Sequence, residues 1–293
     1  DDELLQSLGL KLEEKFNEDK FNMAMYSLNS KYMNEGYYFI RINSEVHSTG
    51  IDQLIINFNI DESEKTKIRK VIISGNDKTH DNVIRRDIGI YPGDVFSMKK
   101  LEESYRDVFM LDYFDNVNPQ ILNIGESQNF VDIEFNVNEK ETGRANFSMG
   151  YNEVHGLTGG GGFDFTNFRG RGQMLSVSYN RGLQNQNQFS SSSTSSNSND
   201  NSDFESFSFS FREPRIYDTR NSIGFSYSHS EQGRGSSNLL KYDIASDRGS
   251  ILFGRRFDWP DPFFKGSWTF TVRNTKYMGD LNTLLEDFNE NIV

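Results

Sequence analysis

The sequence predicts small repeated α+β domains, followed by an antiparallel β-barrel that spans a membrane. Three observations lead to this fold class. Residues 1 to about 142 mix segments of helical and strand periodicity, the same order of segments recurs about 80 residues later, and the remainder follows a period of two. Aromatic residues reach 14% while hydrophobic residues total only 35%, which is typical of strands with a single apolar face.

Two segments of the first half, 17–36 and 97–114, have the apolar spacing of amphipathic helices, and Ser97 is placed to cap the second. Their apolar positions fall at i, i+4, i+7 and i+11: Phe21, Met25, Leu28 and Tyr32 in the first segment, and Leu101, Tyr105, Val108 and Leu111 or Asp112 in the second. Strand-like runs surround the two helices, at 37–46, 53–60, 67–75 and 129–137.

A repeat relates the two parts of this first half. Leu28 matches Val108 at an offset of 80 residues, and INFNIDE matches IEFNVNE at an offset of 77. Such self-similarity predicts tandem domains, each with the order strand, helix, helix, strand, strand. We place them at 1–65 and 66–142. The first copy has no match to the opening strand, so we expect the chain to be part of a longer protein.

From residue 143 onward, large apolar residues alternate with small polar ones. In residues 222–228, Ile223, Phe225 and Tyr227 alternate with glycine and serine. In a strand this spacing places all large groups on one face. The polar positions carry Ser, Gly, Asn and Thr with few charges, which favours the wet interior of a membrane barrel over the charged surface of a soluble β-sandwich. The alternation alone leaves both architectures open.

Connection lengths favour the barrel, because short turns and longer polar loops alternate along residues 143–293. The longest connection is the low-complexity serine tract 188–203, which we expect to be an extracellular loop. Single-chain bacterial barrels have an even number of strands, so an odd number predicts further strands beyond this chain. Seven strands are predicted, near 144–154, 157–167, 172–187, 204–213, 220–231, 240–257 and 266–279.

Composition excludes several function classes. The formal net charge of −12 argues against nucleic-acid binding, and the absence of cysteine excludes disulfides and thiolate metal sites. His47, His80, His155 and His229 have no metal-ligand spacing. The glycine run 159–163 lacks the Lys-Ser/Thr and the helix of a phosphate-binding loop. We therefore expect no metal, no cofactor and no enzymatic reaction.

Five segments resemble one family, the outer-membrane assembly factors of the BamA type. Residues 68–97 resemble the opening of its last POTRA domain, 109–121 the exit from that domain's second helix, and 131–151 the junction with the first barrel strand. Residues 167–173 and 209–227 resemble its barrel turns. The resemblance implies a sixteen-stranded barrel in the bacterial outer membrane, with POTRA domains in the periplasm.

The resemblance also implies a function, namely the insertion of nascent outer-membrane β-barrel proteins through a lateral gate. Its implied partners are those nascent proteins, accessory assembly lipoproteins and outer-membrane lipids. Arg85 and Arg86 match basic family positions that would dock a lipoprotein, but Pro92 replaces the acidic residue that some members carry nearby. The gate strand implied by the resemblance comprises Gly143, Arg144, Ala145, Asn146, Phe147, Ser148, Met149, Gly150 and Tyr151.

Two other functions remain open at this point. A polypeptide-transporting pore of the same superfamily, of the two-partner secretion or translocation-module type, would pass cargo through the lumen rather than sideways. A soluble β-rich protein of the cell surface would bury its aromatic residues between two sheets.

Overall fold

The computed structural model describes residues 15–50, 53–125, 129–152, 156–183, 204–233, 242–257, 259 and 264–279. The chain divides into two compact units, 1–140 and 141–293. No helix in the described ranges is long and apolar enough to cross a membrane. The serine tract 188–203 and His155 lie outside the described residues.

The first α+β domain contains one described helix packed on a two-stranded hairpin. Helix α1 (Glu18–Glu35) begins after Asn17, whose side chain accepts a hydrogen bond from the Lys20 amide, and ends at Gly36 in a left-handed conformation. Strands β1 (Arg41–Ser48) and β2 (Leu54–Asp61) are antiparallel. The buried helix face packs on the hairpin through Ala24, Leu28, Tyr32, Ile42, Phe58 and Ile60.

The second α+β domain has the complete order that the repeat predicts. Its elements are β3 (Lys67–Ser74), α2 (Asp81–Arg85), α3 (Met98–Phe109), β4 (Phe114–Asn123) and β5 (Phe130–Glu139). The sheet order is β3-β5-β4, with β3 parallel and β4 antiparallel to β5. Both helices bury their apolar faces on this sheet, whose centre holds Val131, Ile133 and Phe135 with no solvent exposure.

Helix α3 is shorter than the predicted segment 97–114, so the last five residues of that prediction are wrong. Ser97 does cap the helix, accepting from the Lys100 amide at 3.5 Å. The chain leaves the helix after Phe109, and Asp112 adopts a positive φ of 62°. Tyr113 and Phe114 then turn into the core, both less than 5% exposed. Burial of these two rings at the start of β4 outweighs continuation of the helical spacing.

Direct contacts join the two α+β domains. The Thr66 amide donates to the Gly36 carbonyl at 2.8 Å, and the Lys99 amide donates to Asn34 Oδ1 at 2.8 Å. The Tyr38 ring lies edge-on to Phe96, with centroids 5.0 Å apart. The prediction of a strand from residue 37 is therefore wrong for its first four residues, because they form this connection and β1 begins at Arg41.

The second unit is one antiparallel sheet of seven strands in sequence order. Its first strand β6 and last strand β12 form the two edges, so the sheet is open. No second sheet is present in the described part of this unit, in contrast to a β-sandwich. The strands are β6 (Gly143–Asn152), β7 (Gly156–Phe168), β8 (Gln173–Leu183), β9 (Phe204–Glu213), β10 (Asn221–Gln232), β11 (Asp243–Arg256) and β12 (Lys265–Met278).

The strand register separates apolar and polar residues onto opposite faces, because directly paired residues share a face. One row across six strands is entirely apolar: Phe165, Leu175, Phe211, Phe225, Ile251 and Phe270. The adjacent row on the other face is polar: Asp164, Ser176, Ser210, Ser226, Ser250 and Thr271. The apolar face remains open, with Trp268 and Phe270 66% and 69% exposed.

An ion pair on the sheet of the second α+β domain should make that domain sensitive to acid. Arg69 donates from Nε and Nη2 to both carboxylate oxygens of Asp132, at 2.9 and 2.5 Å. These hydrogen bonds hold the pKa of Asp132 below its ordinary value of 3.8, although burial opposes the shift. The stabilisation is thus present above that ordinary pKa, and is lost as the pH falls through the lower folded-state pKa.

We expect Asp132→Asn to lower the free energy of domain opening by about 1–2 kcal/mol at pH 7, since Arg69 is half exposed and its ion pair is partly screened. Hydrogen exchange of the β3 and β5 amides should accelerate about 5–30-fold. The matched control is Asp81→Asn, which removes the exposed pair with Arg85 and should change exchange little. Equal effects of the two variants would contradict this account.

Candidate functional site: the edge strand β6

Strand β6 lies at one edge of the described sheet and has an exposed apolar face. It pairs with β7 on one side, and no other described strand pairs with it. Phe147, Met149 and Tyr151 are 82%, 80% and 72% exposed. An edge strand of this kind presents its free N–H and C=O groups as a template for another strand. All nine residues implied for the gate, 143–151, lie in this one strand.

The neighbouring strand β7 contains a run of four glycines, Gly159–Gly162. The register of the β6–β7 pair places Ser148 opposite Gly160 and Phe147 opposite Gly161. A Cβ on Gly161 would lie 3.0 Å from the Phe147 ring, so this ring covers the space of the missing side chain. A Cβ on Gly160 would lie 2.7 Å from the backbone oxygen of Tyr179. The glycines thus permit close packing on both faces, while they give β6 few side-chain contacts across the pair.

A carboxylate on the polar face ties β6 to the rest of the sheet. Asp164 on β7 accepts from Asn146 Nδ2 of β6 at 2.9 Å, and it also accepts from the Ser176 hydroxyl of β8. The glycine-rich pair therefore has one charge-assisted side-chain clamp near the start of β6. Sequence analysis missed Asp164, because an isolated acid in an alternating strand has no distinguishing signal.

Beyond this clamp, the polar face is lined by hydroxyl groups. Ser178 and Ser208 share a hydrogen bond at 2.7 Å, and Ser250 and Thr271 share one at 3.1 Å. These short groups satisfy one another across strands and make this part of the face polar. This composition is the one expected for the interior of a wide barrel.

The two arginines implied for lipoprotein docking have different environments. Arg85 is half exposed and donates to Asp81 at 2.9 Å and to the Val71 carbonyl at 3.3 Å. The Arg86 side chain is 9% exposed and lies 3.9 Å from the Asp87 carboxylate. Arg85 can reach a partner from the surface, whereas Arg86 would first have to leave its buried position. Docking through these residues stays a prediction.

The histidines do not assemble a metal site in the described part of the chain. His229 Nδ1 lies 2.7 Å from Asp247 Oδ1, which also accepts from the Tyr227 hydroxyl at 2.9 Å. His47 lies 3.4 Å from Glu45 at the surface. The described residues contain no group of three or more His, Cys, Asp or Glu side chains suited to a metal ion.

Comparison with known proteins identifies the family. The model of the POTRA family, described as the surface antigen variable number repeat, matches residues 1–63 and 66–140. BamA of Neorickettsia risticii (strain Illinois), an outer membrane protein assembly factor, is 26% identical over 223 residues, which are 76% of this chain and 27% of that protein. The chain is thus a BamA-like fragment with two POTRA repeats.

Two solved structures show the same fold. The crystal structure of BamA from Haemophilus ducreyi lacking POTRA domains 1–3 matches with a TM-score of 0.70 at 20% identity, covering 94% of this chain and 48% of that one. CdiB from Escherichia coli matches with a TM-score of 0.54 at 12% identity, covering 94% of this chain and 49% of that one. The chain spans about a quarter of the BamA relative and about half of each solved chain.

The POTRA matches and the similarity to BamA confirm the predicted fold class and location. The two α+β domains are POTRA domains of the periplasm, and the seven-stranded sheet is part of an outer-membrane β-barrel. This excludes the soluble cell-surface protein as an alternative. The end of the sheet at which β6 begins therefore faces the periplasm, since the POTRA domains directly precede it in the chain.

The glycine run can be tested by adding a single methyl group. Gly160→Ala should hinder barrel folding, because its Cβ would meet both Asn180 and the Tyr179 carbonyl. Gly249→Ala is the matched control on β11, where nothing lies within 4 Å of the added Cβ. In the full-length protein, the folded fraction measured by semi-native electrophoresis should fall for Gly160→Ala alone. Normal folding of this variant would show that the close approach is not needed.

Proposed function

We propose that the protein assembles and inserts β-barrel proteins into the bacterial outer membrane, with β6 as the template at a lateral gate. The observation that carries this proposal is the run of four consecutive glycines on β7, which leaves the first barrel strand β6 with few side-chain contacts across the pair. Its BamA relatives are outer membrane protein assembly factors, which supports the same function.

The energetic basis lies in backbone pairing at the outer edge of β6. In hydrocarbon, each N–H or C=O group without a partner costs several kcal/mol. A client strand that pairs with this edge satisfies its own groups and those of β6 at once. Main-chain hydrogen bonds do not depend on the client's side chains, so one edge serves clients of many sequences.

The glycine-rich neighbour favours this use of β6. Cross-strand side-chain pairs stabilise a sheet by about 0.2–1 kcal/mol each, and the Gly159–Gly162 run removes four of them from the β6–β7 pair. The Asp164–Asn146 contact then keeps the periplasmic half of β6 in register. Strand β6 is thus held near its periplasmic end by a side-chain contact, whereas its other half is bound to β7 mainly through the backbone.

The proposed activity makes and breaks no covalent bond and requires no cofactor. Its substrates are nascent outer-membrane β-barrel proteins, which the POTRA domains receive in the periplasm. Accessory lipoproteins are proposed partners of the second POTRA domain, with half-exposed Arg85 as the accessible contact.

A polypeptide-transporting pore is the second candidate function. The hydroxyl-lined polar face suits passage of an extended chain, and the fold match to CdiB is compatible with this alternative. The two functions predict different sites of contact with the client. An insertase engages it at the β6 edge, whereas a transporter engages it on the polar face.

Site-specific photocrosslinking distinguishes these functions. A photoreactive residue at Phe147 should crosslink to an assembling barrel protein. One at Phe209 is the control and should not crosslink, because Phe209 lies on the same face but in the middle of the sheet, away from β6. Residues Ser208 and Thr269 report on the polar face. Client adducts confined to position 147 support insertion. Adducts confined to 208 and 269 would establish the transporter instead.

A further inference from the structure

Three short turns at the periplasmic end of the barrel sheet form one positively charged surface. We call this surface the turn rim and define it by residues 168–173, 212–221, 255–257, 259 and 264–265. Together with Asp258 and Asp261, which lie within the third turn in sequence, it carries eight basic and four acidic residues. The whole chain has a net charge of −12, so this local excess runs against its composition. The basic residues are Arg169, Arg171, Arg212, Arg215, Arg220, Arg255, Arg256 and Lys265.

The first turn is built to expose its arginines. Asn167 is 7% exposed and accepts from the Gly172 amide at 2.7 Å, which fixes the loop from inside. Arg169 has a positive φ of 56° and lies with Cζ 5.4 Å from the centre of the Phe168 ring. Stacking on an aromatic ring leaves the edge of the guanidinium, with its N–H donors, free to reach an acceptor.

The second turn presents an aromatic ring to the surroundings. Tyr217 is 95% exposed and has a positive φ of 50°, which is uncommon for a bulky residue. The turn is fixed by hydrogen bonds from the Thr219 amide to the Ile216 carbonyl and from the Arg215 amide to Glu213, at 3.0 and 3.1 Å. Such strain at an exposed position points to a role outside the packing of the turn.

Hydrogen bonds connect the three turns to one another. Gln173 at the first turn donates to Glu213 at the second, at 2.8 Å, and the Arg256 amide at the third donates to the Arg220 carbonyl at 3.0 Å. The third turn adds Trp259, which is 83% exposed. The turn rim is therefore continuous, and it combines cations with exposed aromatic rings.

We propose that the turn rim binds the phosphate headgroups of anionic phospholipids in the periplasmic leaflet. The planar fork of arginine matches phosphate geometry, and Tyr and Trp favour the interface between hydrocarbon and water. Each basic residue near an anionic membrane surface strengthens binding by about fivefold. The inference rests on the outer-membrane location and holds for either candidate function.

The position of the turn rim favours lipid over a protein partner. The outward apolar face ends with the paired residues Ile223, Phe253 and Trp268. The next outward row begins two residues further on, about 7 Å along the strand, with Arg255 in the turn rim. Headgroups of lipids that cover the apolar face therefore come to lie at the level of these basic side chains.

The test uses the full-length protein in nanodiscs of phosphatidylethanolamine and phosphatidylglycerol at 3:1. Lipids retained after partial delipidation are counted by native mass spectrometry. We expect phosphatidylglycerol to be enriched, and the combined variant Arg169→Gln, Arg171→Gln, Arg255→Gln to reduce that enrichment roughly tenfold or more. The control Arg248→Gln, Arg273→Gln, Lys276→Gln removes equal charge from β11 and β12 outside the turn rim and should leave the enrichment unchanged.

Three results would overturn the inference: no enrichment in the wild-type protein, equal losses in both variants, or unchanged enrichment in the turn-rim variant. A photoreactive residue at Tyr217 separates the possible partners, because phospholipid adducts support the inference and protein adducts alone contradict it. Client crosslinks at Phe147 are measured in parallel. Absence of any phosphatidylglycerol enrichment in the wild-type protein, with those crosslinks present, would refute the lipid site and leave the proposed insertase function standing.

Discussion

The structure of the membrane unit depends on one constraint, which is that every backbone polar group in hydrocarbon needs a partner. Seven antiparallel strands meet this constraint by pairing with one another, and within the described residues β6 and β12 each have one neighbouring strand. The strand register converts the period-two sequence into an aromatic face and a hydroxyl-lined face. Lipid contact and lumen are thus two consequences of a single sheet with two different faces, and the proposed strand template uses the first strand of that sheet.

The same constraint explains why the glycines of β7 lie next to the proposed gate. A strand held by many side-chain contacts would be a poor template, because it could not adjust its position to pair with a client strand. The Gly159–Gly162 run removes such contacts, and Asp164 restores one near the periplasmic end. The second POTRA domain differs from the barrel sheet in how it is stabilised, because its sheet is covered by helices that enclose a buried apolar core.

Much of this architecture follows from the sequence, because alternation and repeat spacing are local and periodic. The seven strands fall within a few residues of the predicted segments wherever the structure describes them, and Ser97 caps α3 as predicted. The end of α3 and the connection through Tyr38 could not be predicted, since tertiary burial decided both. Asp164 and the linked turns depend on strand register, which alternation alone does not fix.

The central claim is that the aromatic face contacts hydrocarbon while the serine face contacts water. Because the chain contains no cysteine, single spin labels can be placed at residues 207–211 of β9 in the full-length protein after replacement of any cysteine elsewhere. Collision with oxygen and with a water-soluble nickel complex then reports the environment of each position. We expect oxygen accessibility to peak at 207, 209 and 211, and nickel accessibility at 208 and 210. Uniform accessibility along the strand, or the opposite alternation, would contradict the account.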